Sequence, residues 1–183
     1  MAYGSFSGNP KTEWLCDPQD GDRDMQLLED FWYDDPDGRR WPANKGSIVN
    51  GASIPRPLWA TVGSPYTDDY RRASVVHDVA CNDPTVARKD ADKMFYYACL
   101  AGGCSKSQAA ILYAGVRIGA WAGKEFSSKA FSGKKLLFRS TERPQIDELK
   151  LGLKFAEITK ALSKLNDQAD FAQIEAIVDK QVK

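Results

Sequence analysis

The apolar positions of the chain change period near residue 67. Before it, short aromatic and β-branched runs alternate with turn residues. MQLLEDFWY and RRWPANKGSIVN flank Asp34-Asp35-Pro36-Asp37-Gly38, and an Asp-Gly turn between strand-prone runs predicts a hairpin. Residues 10–60 are therefore expected to form a small antiparallel β unit. Pro42, Pro55 and Pro57 each remove a ladder donor, which confines the later strands to edges. NGASIPRPLW is expected to be a rigid loop.

After residue 67 the period is helical. Thr67 or Asp68 is placed to cap a helix reaching Asn82, with Ala73, Val76, His77 and Ala80 on one face. Asp83-Pro84 resembles a cap followed by proline at the first helical position, opening a second helix to about Leu100 that Gly102-Gly103 stops. Ser105 can cap a third, to about Gly123. In it Gly115, Gly119 and Gly123 recur every four residues, a flat strip for a close helix or backbone neighbour. Residues 124–142 are rich in Ser and Lys and read as a connection with one short strand. Beyond Pro144 two amphipathic helices follow, one striped by Leu151, Phe155, Ile158, Leu162 and Leu165, the other by Phe171, Ile174, Ile177 and Val178. The expected class is α+β: an N-terminal antiparallel β unit packed on a three-helix core, followed by C-terminal amphipathic helices.

Length and charge narrow the function. A chain of 183 residues supports one domain and an appendage. Its 25 basic and 25 acidic residues cancel, so no global field draws a polyanion and a nucleic-acid partner is not expected. There is no uninterrupted run of about 18 apolar residues to span a bilayer, and the first residues lack a secretory pattern. The expectation is a chain made in the cytoplasm and kept there unless a virion or an export machine carries it. Cys16, Cys81, Cys99 and Cys104 lack paired spacing and read as reduced, mostly buried residues. Zinc is poorly served by a chain whose single histidine is His77.

Candidate chemistry gathers in the first two helices. His77 and Asp78 are adjacent, so they point about 100° apart and can serve one pocket from two sides. Arg88 and Asp92 share a face at i and i+4. If the helices run antiparallel, Asp92 can meet His77 and fix its tautomer, leaving Asp78 for a metal ion. The plainer alternative makes His77 a hydrogen-bonded packing residue among valines and Arg88 with Asp92 a surface ion pair.

The run NGASIPRPLWATVGSPYTDDYRRASVVHDVACND, followed by ARKDADKMFYYACLAGG, resembles the phage-associated domain of unknown function 1353. That family's pattern reads Asp-Gly-Ala-Ser-Ile-Pro, then His-Asp, then Arg-x-x-Ala-Asp-x-x-Phe. The likeness covers roughly residues 10–122, with Asn50 in place of the first Asp and Cys81 where Tyr is common. A family-like α+β domain is thus expected over residues 1–123, and composition and periodicity add a linker over 124–143 and a helical appendage, outside the likeness, over 144–183.

The order of a glycine-containing loop, a His-Asp helix and a helix bearing Asp is also similar to the phospholipase A2 superfamily. That resemblance implies His77 as the base for an attacking water, Asp92 as its orienting partner and Asp78 as a calcium ligand. Backbone carbonyls of Asn50, Gly51 and Ala52 would complete the cage, with Arg88 and Ser53 in support. It would make the chain a phage- or secretion-associated, calcium-assisted hydrolase of a lipid ester or cell-envelope substrate. The competing expectation is a non-enzymatic virion or tail-associated protein in which the same residues knit helices together. In either case residues 144–183 are expected to mediate homo-oligomerisation or partner docking, with a membrane surface, but no transmembrane span, as the lesser alternative. Burial discriminates: an open cleft at His77 favours catalysis, a sealed cluster favours structure.

Overall fold

Alternation along the early strands places one side chain in two in the core. In β3 (Met25–Leu27), β4 (Phe31–Asp34) and β5 (Arg40–Ala43), the buried residues are Met25, Leu27, Phe31, Tyr33, Trp41 and Ala43. With β1 (Ser5–Phe6), β2 (Thr12–Trp14) and β6 (Ile48–Val49) they make two three-stranded antiparallel sheets, ordered β1-β4-β5 and β2-β3-β6. This computed structural model describes residues 2–16, 24–63, 69–131, 148–166 and 169–182. The expected hairpin is β4–β5, with Trp32 opposite Pro42 and Tyr33 opposite Trp41. Pro42 lies on an edge strand, as its missing N–H requires.

The loop after β6 runs to a 3-10 turn over Arg56–Leu58 and a four-residue helix, α1 (Trp59–Val62). Three longer helices follow: α2 (Arg71–Asn82), α3 (Arg88–Gly102) and α4 (Lys106–Phe131). Two starts differ from expectation. Thr67 and Asp68 lie outside the described residues, and α2 begins after Tyr70 with no side-chain cap. Asp83 caps a turn instead of a helix: its Oδ1 accepts from the Thr85 N–H at 2.8 Å and from the Thr85 hydroxyl at 2.6 Å, and α3 starts five residues later. A local Asx turn satisfies the carboxylate without helical dihedrals. Gly103 ends α3 at φ 118°, the left-handed C-cap that glycine tolerates. Ser105 Oγ accepts from the Gln108 N–H at 3.1 Å, the expected cap of α4.

Helix α4 passes Gly123 and runs to Phe131, so the expected connection is helical over its first eight residues. The strand expected there would have to fall in residues 132–142, outside the described residues. The glycine strip has a definite neighbour: a Cβ on Gly119 would stand 2.0 Å from the Ser53 carbonyl oxygen, and one on Gly115 would stand 3.3 Å from Ile54. Gly115 and Gly119 thus let the NGASIP loop lie directly on α4, while Gly123 faces nothing within 4 Å.

Helices α5 (Glu148–Leu162) and α6 (Phe171–Gln181) pack on the rest of the chain. Leu151, Phe155, Ile158, Leu162, Ile174 and Val178 are all buried in the common core. Asp170 and Gln173 form a reciprocal capping box at the start of α6. The domain itself covers this apolar stripe. Among the described residues, no helix is long and apolar enough to cross a membrane.

Candidate functional site

The helical hairpin α2–α3 positions the chemistry. Its direction is fixed at the far end, where the Asp69 carbonyl before α2 lies against Gly102 at the end of α3, so the helices run antiparallel. Valines and alanines on the same faces bury the polar residues between them. His77 Nε2 meets Asp92 Oδ1 at 2.8 Å, and both side chains have no exposure to solvent. Phe95 packs on the imidazole, ring centroids 4.7 Å apart.

Asp92 is the hub of a larger network. Arg88 Nε donates to its Oδ1 at 3.0 Å, and Arg117 Nη1 of α4 approaches its Oδ2 at 3.4 Å. Arg117 Nη2 also donates to Asp179 Oδ1 of α6 at 3.0 Å, and Lys89 binds Asp179 Oδ2 at 2.9 Å. Four helices therefore meet through alternating charges. Sequence reasoning found His77, Asp92 and Arg88 but missed Arg117 and Asp179. The available signal was a single charge inside AILYAGVRIGAW, since a lone arginine in an apolar helix needs a buried partner.

Burial by itself would lower the His77 pKa, but hydrogen bonding to Asp92 and Cys81 outweighs it and raises the value from 6.5 to about 9. Burial pushes Asp92 up, and His77 with Arg88 more than reverses that, holding it below its ordinary value. Both shifts favour the imidazolium–carboxylate form of the pair. Arg88 Nη2 and Arg117 Nε are also buried with no hydrogen-bond partner, so donors outnumber acceptors at this junction.

Asp78, 5% exposed, faces the other way. Its Oδ2 accepts from the Asn50 N–H at 2.6 Å, and its carboxylate also accepts from the Gly51 N–H. Gly51, at φ 98°, lets the chain turn there. The loop thus offers Asp78 a pair of N–H donors, a nest for an anion, where carbonyl oxygens for calcium were expected. The Ala52 carbonyl is also engaged, accepting from the Ile54 N–H at 2.6 Å, and Ser53 lies with its carbonyl against Gly119. Burial pushes the Asp78 pKa up by more than the Asn50 and Gly51 N–H groups and His77 lower it. Asp78, Asn50, Gly51 and Ala52 do come together, but as a loop anchor with the polarity of an anion site.

Cys81, partly exposed on the turn after His77, brings its Sγ to 3.4 Å from Nε2. Cys99 and Cys104 are buried, and all four cysteines are free thiols. Burial, then the hydrogen bond with Cys104, holds the Cys99 thiol well above its ordinary pKa, so it stays protonated.

Two proteins of Sinorhizobium fredii, each described as an uncharacterized protein, are similar to the chain. One, y4jT, is 36% identical over 112 residues, 61% of this chain and 32% of that protein. The other, y4iH, is 42% identical over 94 residues, 51% of this chain and 39% of that protein. The chain thus spans just under a third of the length of one relative and about two fifths of the other. No solved structure matches it. The sequence pattern of the family described as "Protein of unknown function (DUF1353)" matches residues 25–116, which include both sides of the His77–Asp92 pair, the Asp78 anchor and the loop it holds. That match covers half of the chain, and the chain belongs to this family.

Proposed function

We propose that this chain is a non-enzymatic structural or assembly module whose buried His-Asp-Arg network ties helices together instead of turning over a substrate. The observation that carries this reading is the complete burial of His77 and Asp92. A general base must reach the water it deprotonates and must be neutral at working pH; His77 is sealed, and its hydrogen bond to Asp92 favours the charged form. The phage-associated setting rests on the sequence resemblance. Partner docking, where it occurs, would use residues other than the buried stripe; Leu149 and Leu153 are the large apolar side chains left exposed on α5.

The calcium-assisted hydrolase is the second reading. The 2.8 Å His77–Asp92 contact, with Asp78 next in the chain, favours it because the phospholipase resemblance implies that pair. It would require the Asn50–Ala52 segment to leave Asp78 and His77 to lose its proton. The test is hydrolysis of phospholipid and simple ester substrates by the full chain in millimolar calcium, beside a His77→Ala variant. The structural reading expects no turnover above background and no calcium-dependent rise in melting temperature. Turnover by the parent chain that disappears in a folded His77→Ala variant would overturn it.

A further inference from the structure

We infer that His77, Cys81 and Asp92 form a binding site for one borderline-soft divalent metal ion of the zinc class. His77 and Cys81 stand at i and i+4 and share a face of α2. Asp92 arrives from the antiparallel α3. One nitrogen, one sulfur and one oxygen atom from these residues all lie within 4.8 Å of one another. Ligands bound at about 2.0–2.3 Å to a tetrahedral zinc ion stand roughly 3.3–3.8 Å apart. The 3.4 Å separation of Cys81 Sγ and His77 Nε2 fits as it is. The 2.8 Å contact between Nε2 and Asp92 Oδ1 would open by about half an ångström to admit the ion.

The donor set chooses the class of ion. Thiolate and imidazole suit zinc and its neighbours, whereas calcium and magnesium take oxygen ligands. Access is through Cys81, since His77 and Asp92 are buried and Cys81 is partly exposed.

Binding takes the imidazole nitrogen unprotonated and the sulfur as thiolate, so protons leave as the ion enters. Arg88 and Arg117 compete for Asp92 and moderate the affinity. The single-histidine count argued against zinc at the sequence level; the fold supplies what the count lacked, a cysteine one turn along the helix and a carboxylate from across the hairpin. The inference rests on the reading of this cluster as a structural tie, with the metal replacing protons at the same junction.

The test is a cobalt(II) titration of the untagged full chain carrying Cys16→Ser, which removes the exposed competing thiol. Expected are saturation at one cobalt per chain, thiolate-to-cobalt charge-transfer absorption, and displacement by zinc. Cys81→Ser should remove that absorption and weaken binding at least about tenfold. Should that variant fail to fold, zinc protection of Cys81 from alkylation in the Cys81-intact chain supplies the readout. The inference is overturned by absence of saturable cobalt binding, by a charge-transfer band that survives Cys81→Ser, or by alkylation of Cys81 at the same rate with and without zinc. Each of these outcomes leaves the hydrolysis assay unaffected, so failure here and failure of the structural reading are distinguishable.

Discussion

His77 and Asp92, fifteen positions apart and on antiparallel helices, meet at 2.8 Å with neither side chain exposed. Removing Asp92 takes away the one acceptor that His77, Arg88 and Arg117 share, the costly way to break a buried network. Asp92→Ala should therefore destabilise the chain by about 3–5 kcal/mol, since Arg88 loses this carboxylate and Arg117 keeps only Asp179. Urea unfolding measures this. A loss under about 1 kcal/mol would mean that the network contributes little.

The same pair sets a pH dependence with a definite sign. The folded His77 value of about 9 lies above the ordinary 6.5. Its contribution is complete below about pH 6.5 and is lost as pH rises through about 9, an effect on the order of 3 kcal/mol. Asp92 is lowered from 3.8, so its contribution holds above that pH and is lost as pH falls through its lower folded value. Stability attributable to the pair should be greatest between about pH 4 and 6.5. His77→Gln should flatten the alkaline limb when unfolding free energy is followed against pH.

The glycine strip makes a paired prediction. Gly119→Ala places a methyl 2.0 Å from the Ser53 carbonyl oxygen, backbone that can yield only by moving the loop, so a cost of about 1–3 kcal/mol is expected. Gly123→Ala meets nothing and should stabilise by up to about 1 kcal/mol, the ordinary helical preference. Thermal melts of the two variants in parallel check this, and equal shifts would remove the loop contact from the account.

Truncation tests the appendage. A chain ending near Glu142 would expose the partners of Leu151, Phe155, Ile158, Leu162, Ile174 and Val178. It should unfold at lower urea or aggregate in sedimentation. A monomer of unchanged stability would show that these helices are not part of the core.

Much of this fold is written in short-range pattern. The Asp37-Gly38 hairpin, the edge position of Pro42 and the buried face of Ala73, Val76, His77 and Ala80 all follow from periods of two and 3.6. The starts of α2 and α3 were illegible because Tyr70 and Ala87 cap neither with a side chain, while Asp83, a good cap by type, satisfies a turn. In the site, His77 and Asp92 could be paired by assuming an antiparallel hairpin. Arg117 and Asp179 could not, since their contact joins positions 62 residues apart. The meeting of Asp78 with Asn50 and Gly51 was foreseeable, but its polarity was not. Whether a loop presents N–H or C=O depends on backbone dihedrals that residue types leave open.

The central claim, that His77 is a charged structural tie and not a base, is most directly tested on the ring of His77 itself. The chain has one histidine, so a single set of imidazole resonances can be followed from pH 5 to 10 in metal-free protein kept so with chelator. The account predicts an imidazolium at pH 7, titrating near 9, with its ring N–H protected from exchange by the Asp92 carboxylate. A ring that is neutral at pH 7, titrating at or below 6.5, with rapid exchange, would contradict it.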